Sequence, residues 1–318
     1  MKKNLLILII IFIFALKGFT QSAISSGNTS FYLELNSSYN KESLNDYLIS
    51  TTGKTNSLLE WQADYLLREG LTAGVKHKKL EAALSAQFVL PVECGKMYDS
   101  DWRAVGIKTN YSTSDLFAGF GCDTTLSIKF NFAPGNQSQF FISPIAVFSN
   151  SFIKYHAKNT IGWCGDIAHT HLKEHYSWDS EYAKKVKKYG IDFTNNITSI
   201  FCGIESSAKF GNIAVNAGIL SSPFTYIFSI DHHLNKEEGN YYQMIQKAVF
   251  SVWDFYTGCG YSINQKNEIL LSASYSFCPE IPGDFYYGYY KIDNIIADET
   301  SRFSFSKFSL ALSWRFIF

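Results

Sequence analysis

Two short acidic motifs contain the residues whose types and spacing could perform chemistry. The first holds Asp99 and Asp101, one residue apart, and the second holds Asp231 followed by His232 and His233. A carboxylate beside an imidazole fixes the imidazole tautomer and supports its action as a general base for water. Two aspartates this close repel each other, which favours their sharing a proton. Together the motifs could direct a water at a carbonyl and later protonate the leaving amine.

The second motif offers two histidines as the base. On a strand, alternate residues project to the same face, so His233 lies on the side of Asp231 and His232 on the other. We therefore expect His233 to be the base. The competing interpretation is that both motifs are solvated turns or an ordinary polar rim, since such short patterns often arise by chance.

Strict alternation of apolar and polar residues indicates the elements that must position these motifs. It runs from Leu116 to Phe132, where every even position except Thr124 is apolar, and the chain ends with aromatic or aliphatic residues at alternate positions up to Phe318. Alternation of this kind is typical of β-strands with one apolar face. Ten strands are predicted, at 30–49, 57–76, 79–91, 115–132, 138–157, 191–210, 212–230, 243–262, 267–281 and 302–318.

These strands predict an all-β fold, a ten-stranded antiparallel transmembrane β-barrel. An even strand number, with short turns at one end and long loops at the other, is the bacterial outer-membrane pattern. Several predicted strands exceed the roughly 9–11 residues that cross a bilayer, so the barrel should project beyond the outer leaflet. The two acidic motifs are expected on long outer loops, just past strand three and at the top of strand seven.

The first residues predict a secretory leader. Lys2 and Lys3 precede an apolar run from Leu5 to Leu16, which is shorter than the roughly 20 residues of a spanning helix. Residues 1–22 are therefore interpreted as a signal peptide with an approximate cleavage site, and 23–318 as the barrel.

Charge and cysteine content limit the classes of partner and cofactor that the sequence predicts. The chain has 28 basic and 28 acidic residues and a pI near 7.0, which argues against nucleic acid or an anionic membrane surface as a partner. Its six cysteines match no zinc spacing, and we expect mostly unpaired thiols. A monomer that contacts outer-membrane lipid, without metal or other cofactor, is expected.

Two further sets of polar residues are predicted to be exposed to solvent. His169, His171 and His175 could bind a transition metal, but a solvated loop is the preferred interpretation. The lysines of the run 184–188 are interpreted as a solvated rim.

The motifs and their order resemble the omptins, a family of outer-membrane endopeptidases of Gram-negative bacteria. The resemblance rests on Asp-x-Asp-Trp after strand three, Asp-x-His after strand seven, ten strands in all, and the segment 57–61 that opens strand two. It implies that Asp231 and His233 form a catalytic dyad that faces Asp99 and Asp101, with no covalent intermediate.

The resemblance also suggests which residues could bind the substrate. Omptins that cut between basic residues hold arginine with acidic residues on loop one and two positions before the dyad aspartate. The second position is Ser229 here, and the first aligns nearest Leu44, with Glu42 and Asp46 close by. Ser229, Glu42 and Asp46 are the candidate substrate-binding residues, and a preference for basic residues is not predicted. The family's dependence on lipopolysaccharide is implied only by the resemblance, since no matching arginine cluster is present.

The leading hypothesis is an outer-membrane endopeptidase whose site faces the cell exterior and cleaves peptides or proteins there. The alternative is a catalytically silent omptin-like barrel that acts as an adhesin or receptor, for which the tyrosines of 286–290 would suit. A small porin ranks lowest, because side chains fill most of a ten-stranded lumen.

Overall fold

A computed structural model of the chain describes residues 29–104, 106–134, 139–168, 171–187, 190–234, 240–289, 295–296 and 299–318. The predicted signal peptide lies outside these residues. None of the described residues forms a helix long and apolar enough to cross a membrane. The strands are β1 (Thr29–Ser50), β2 (Thr55–His77), β3 (Leu80–Val89), β4 (Val92–Asp101), β5 (Asn110–Phe130), β6 (Phe140–Cys164), β7 (Lys184–Lys187), β8 (Ile191–Phe210), β9 (Ile213–His233), β10 (Asn240–Ala248), β11 (Val252–Asn264), β12 (Asn267–Tyr289), β13 (Ile295–Ile296) and β14 (Glu299–Ile317).

The strands form a closed antiparallel ring. β3 and β4 lie one after the other between β2 and β5, and together they form one strand of the barrel. β10 and β11 likewise form one barrel strand between β9 and β12. β1 pairs with β14 from Tyr32 opposite Ile317 to Ser50 opposite Glu299, which closes the ring. β7 and β13 only extend the pairing at the ends of β6 and β12. The predicted ten-stranded β-barrel is confirmed.

The strands are longer than the predicted spans, and this moves the first acidic motif. Pro91, which has no N–H to donate, separates β3 from β4, but pairing resumes and continues to Asp101. Asp99 and Asp101 therefore lie on β4. Asp231 and His233 likewise lie on β9, which continues to His233, so both motifs are on strands where loops were expected. The first predicted long loop likewise shrinks to residues 51–54, because β1 and β2 extend toward each other.

One end of the barrel has an apolar exterior. A band of outward side chains there is 36–56% exposed, including Leu35, Leu71, Leu84, Phe130, Phe148, Ile204, Ile219, Leu271, Leu310 and Leu312. β6 contains 25 residues, more than twice the roughly 9–11 residues that cross a bilayer. The barrel wall therefore continues well past the band.

The interior behind this band is charged and internally paired. Arg68 Nη2 lies 2.5 Å from Glu42 Oε1, and Arg68 Nε lies 3.3 Å from Asp123 Oδ2. Lys307 Nζ lies 2.7 Å from Asp123 Oδ2 and 3.5 Å from Glu42 Oε1. Two cations and two carboxylates thus neutralise each other inside the barrel, a group called the lumen network below.

A β-bulge on β5 reverses which residues face inward. Ala118 pairs with Tyr155 and Gly121 with Ile153, so Gly119 and Phe120 together oppose a single residue. Even-numbered residues such as Ala118 are buried inside above the bulge, whereas those from Phe120 onward face outward below it. The alternation of 116–132 therefore does not define one face, because the extra residue shifts the pleat.

Above the lumen network the interior is apolar. The Trp61 ring stacks on Phe193 at a centroid distance of 4.4 Å and lies 6.4 Å from Tyr155. Leu44, Met97 and Leu116 belong to the same buried cluster. These side chains, called the aromatic floor below, fill the upper barrel beneath its open end.

All six cysteines lie within the described residues, and none is bonded to another there.

Candidate functional site

A cavity of about 470 Å³ opens at the end of the barrel beyond the apolar band. Its lining includes Asp99 and Asp101 from β4 and Asp231 and His233 from β9. Around the ring β4 and β9 are separated by β5, β6 and β8 on the shorter side, so they face each other across the mouth. The two sequence motifs, more than 120 residues apart in the chain, thus meet in one space.

The dyad residues are in direct contact. His233 Nε2 lies 2.9 Å from Asp231 Oδ2. Asp231 is only 2% exposed, and its other oxygen has no hydrogen-bond partner among the described residues. A neutral His233 that donates its Nε2 proton to Asp231 keeps Nδ1 as the basic nitrogen. This arrangement can accept a proton from water.

The neighbouring histidine, His232, makes different contacts. The His232 ring stacks on Tyr241 with a centroid distance of 4.0 Å and an interplanar angle of 5°. The His233 ring instead meets Tyr242, a cavity-lining residue, edge to face at 5.0 Å. Of the two histidines, only His233 lines the cavity among the described residues.

The facing carboxylates are held by polar neighbours on β5. Ser112 Oγ donates to Asp99 Oδ2 at 3.2 Å, and Asn110 Nδ2 donates to Asp101 Oδ2 at 3.2 Å. The guanidinium of Arg103 lies 3.7 Å from Asp101 Oδ2. These contacts fix two carboxylate groups opposite the imidazole.

The carboxylates set the protonation of the imidazole. Burial by itself would lower the pKa of His233, but the negative charge and hydrogen bond of Asp231, together with Asp99 and Asp101, raise the pKa above its ordinary value of 6.5. The neutral, basic form of His233 is therefore fully populated only at pH values above this raised pKa.

The three candidate substrate-binding residues lie in different places. Asp46, on β1, lines the cavity, whereas Ser229 is fully buried and is not part of the lining. Glu42 lies in the lumen network, where it binds Arg68 and accepts a hydrogen bond from the Tyr155 hydroxyl at 3.1 Å. The charge of Glu42 is thus already paired, and Glu42 is not part of the described cavity lining.

Asp46 is a buried acid without normal hydrogen bonds. Neither of its carboxylate oxygens has a hydrogen bond of normal geometry to a described residue. Burial and the negative charge of Asp231 raise the pKa of Asp46 well above its ordinary value, and the nearby indole N–H of Trp61 opposes this only in part. Asp46 therefore tends to remain protonated within the folded barrel.

Asp46→Asn should stabilise the barrel at neutral pH. A carboxyl group whose pKa is raised by folding binds more protons in the folded state, so its contribution to stability falls as pH rises above about 4. Asparagine removes this loss, and its advantage should disappear below pH 4, where both states of the wild type are protonated. Urea unfolding of the refolded protein in detergent between pH 3 and pH 8 measures this, and an advantage that is independent of pH contradicts it.

Sequence reasoning missed several cavity residues. Arg103, Thr160, Lys187 and Tyr242 all line the cavity. Lys187 belongs to the run that was interpreted as a solvated rim, and its place at the mouth depends on the pairing of β7 with β6. Nothing in the local sequence signals that pairing.

The remaining sequence candidates lie elsewhere. His171 is exposed, the His175 ring lies tilted against the Tyr182 ring, and His169 lies outside the described residues. Among the described residues, no group of three or more His, Cys, Asp or Glu side chains could hold a metal ion. Tyr286 and Tyr287 belong to β12.

Comparison with solved structures identifies the same architecture. The outer membrane protease OmpT from Escherichia coli superposes with a TM-score of 0.75 over 91% of this chain and 97% of that chain, at 11% sequence identity. The outer membrane protein OprG from Pseudomonas aeruginosa covers 91% of this chain and 95% of its own, with a TM-score of only 0.34 and 9% identity. No protein-family model matches the sequence, and no curated protein is significantly similar to it. At 11% identity, the likeness to OmpT shows a shared fold alone.

Proposed function

We propose that this chain is an omptin-like outer-membrane endopeptidase that cleaves peptides or proteins at the cell surface. The observation that carries the proposal is the convergence of Asp99, Asp101, Asp231 and His233 on one cavity. Alternation alone would predict a barrel of any function, whereas this convergence has the geometry of a general base facing a carboxylate pair. The OmpT-like fold is consistent with the proposal.

The proposed reaction uses water as the nucleophile. His233, oriented by Asp231, takes a proton from a water held between it and Asp99, and the water oxygen attacks the scissile carbonyl. The resulting tetrahedral intermediate then collapses, the C–N bond breaks, and the proton passes to the leaving amine. Asp101 supports Asp99 in holding the water. No bond to the protein forms at any stage.

The proposed location follows from the exterior of the barrel. The apolar band matches a lipid-facing surface, and the cavity lies beyond it at the end that carries the longer connections. In this proposal the leader 1–22 directs export, outer-membrane lipid surrounds the band, and the cavity of a monomer faces the exterior.

The test is cleavage of a randomised peptide library by the refolded full-length protein, with and without lipopolysaccharide. Fragments from defined bonds, in either condition, are the expected result, and their sequences give the specificity. If no peptide is cut in either condition, the enzyme proposal fails. A requirement for lipopolysaccharide would extend the family resemblance to this chain.

A non-enzymatic receptor or adhesin is the second candidate, and one surface feature favours it. Tyr98, Tyr111, Trp163 and Trp178 form a chain of ring contacts beyond the apolar band, with Tyr111 and Trp178 4.5 Å apart. Partly exposed aromatic rings such as these suit protein or glycan contacts. The two candidates differ in turnover, which the library experiment measures. A porin is disfavoured, since the aromatic floor closes the upper barrel.

Peptidase activity should rise with pH through a midpoint above 6.5. Only neutral His233 can act as the base, and its pKa is raised by the surrounding carboxylates. Asp101→Asn removes one of these charges, so the acidic limb of kcat/KM should move to lower pH in that variant. The measurement is kcat/KM from pH 5 to pH 9. A limb at or below pH 6.5 in the wild type would show that His233 does not titrate as described.

A further inference from the structure

A second depression continues from the catalytic cavity along the rim. It has a volume of about 490 Å³ and is lined by Asn159, Thr160, Ile161, Lys185, Val186 and Lys187. Thr160 and Lys187 also line the main cavity, so the two spaces share a wall. This second depression is called the rim groove below.

The rim groove carries positive charge. None of its six lining residues is acidic, and two are lysines. Lys187 forms no ion pair with a described carboxylate, and Lys185 Nζ lies 5.8 Å from the centroid of the Trp163 ring. The adjoining cavity also contains basic residues, Arg103 and Lys187, but its lining includes the carboxylates of Asp99, Asp101 and Asp231, whereas the lining of the rim groove has none.

The cavity and the rim groove therefore differ in the charge they favour. A peptide that lies in both advances about 3.3 Å per residue, so a side chain a few residues from the scissile bond would reach the rim groove. An acidic side chain placed beside Asp99, Asp101 and Asp231 is repelled by their carboxylates. The same side chain placed in the rim groove meets Lys187 and Lys185.

We propose that the rim groove is a substrate subsite that selects an aspartate or glutamate a few residues from the scissile bond. Lys187 is the main specificity-determining contact, because it lines both spaces, and Lys185 supports it. This inference rests on the proposed endopeptidase activity, since it names a feature of the substrate of that site. Two residues of the lysine run 184–188, which was interpreted from the sequence as a solvated rim, thereby contact the substrate.

The test uses peptides that share one scissile sequence and differ at a single flanking position. Glutamate is moved through the flanking positions on both sides, and each peptide is paired with its glutamine counterpart. At one position, or at two positions two residues apart, the glutamate peptide should have a kcat/KM about two- to fivefold higher, as expected for one half-exposed charge pair. The ratio should approach one in 0.5 M salt, because exposed charges are screened there.

Variants of β7 assign the effect to the groove. Lys187→Gln should bring the glutamate-to-glutamine ratio close to one. Lys184→Gln is the matched control, because Lys184 lies on the same strand and loses the same charge but lines neither space. The ratio should persist in that control. A ratio near one at every position in the wild type, or an equal loss in Lys184→Gln and Lys187→Gln, overturns the proposal.

A binding measurement separates this inference from the proposed function. Fluorescence anisotropy of the labelled glutamate and glutamine peptides reports affinity without cleavage. If no peptide is cleaved but the glutamate peptide binds more tightly in a Lys187-dependent manner, the enzyme proposal fails and the groove stands as an acidic-peptide site. If peptides are cleaved without preference, the enzyme stands and the groove proposal fails.

Discussion

His233→Ala should lower kcat/KM on a cleaved peptide by a factor of about 10²–10⁴, the usual contribution of a general base. Asp231→Asn should have an effect of similar order, since it removes the carboxylate 2.9 Å from His233 Nε2 that orients the ring. Initial rates on one peptide identified from the library provide the measurement.

His232→Ala is the matched control for this prediction. His232 is adjacent in sequence, but its ring stacks on Tyr241 and is not part of the described cavity lining. Its replacement should leave kcat/KM within about twofold of wild type, as expected for a surface change away from the site. Full activity in His233→Ala would refute the proposed mechanism even if the chain proved to be a peptidase.

Arg68→Met should destabilise the barrel by about 3–5 kcal/mol, the typical result of removing one partner from a buried charge group. The substitution keeps much of the side-chain volume but leaves Glu42 and Asp123 to share the single cation of Lys307. Urea unfolding of the refolded protein in detergent, followed by tryptophan fluorescence, measures the change.

Two further variants test whether the effect of Arg68→Met comes from the lumen network. Lys41→Gln breaks an exposed ion pair with Asp64, in which the side chains are 58% and 56% exposed, and should cost less than about 1 kcal/mol. Arg68→Met combined with Glu42→Gln restores the balance of charge and should recover part of the loss. If Arg68→Met costs no more than Lys41→Gln, the lumen network does not stabilise the barrel.

The barrel could be predicted from the sequence because alternation repeats on every strand. What alternation could not predict was where the pleat changes phase. The bulge at Gly119 and Phe120 places Leu116 and Ala118 inside while the following even-numbered residues face outward. A single extra residue leaves the apolar pattern intact, so only the pairing partners show the shift.

The candidate site was predictable to a similar degree and for similar reasons. The choice of His233 over His232 follows from strand geometry, and the structure places the two rings on different partners. By contrast, Glu42 and Asp46 look alike in sequence, as acidic residues four positions apart on β1. One is neutralised by Arg68 and the other faces the cavity, a difference set by residues on β2 and β9.

The aromatic floor determines how a polypeptide can use the cavity. Trp61, Tyr155 and Phe193 lie buried beneath the described site, so the cavity has an apolar floor and opens toward the rim of the barrel. A chain could not pass through this floor, so in the proposed endopeptidase both cleavage products would leave by the way the substrate entered. Cleavage should therefore favour extended segments that can lie across the mouth, such as exposed loops and linkers, while compact domains on either side remain outside.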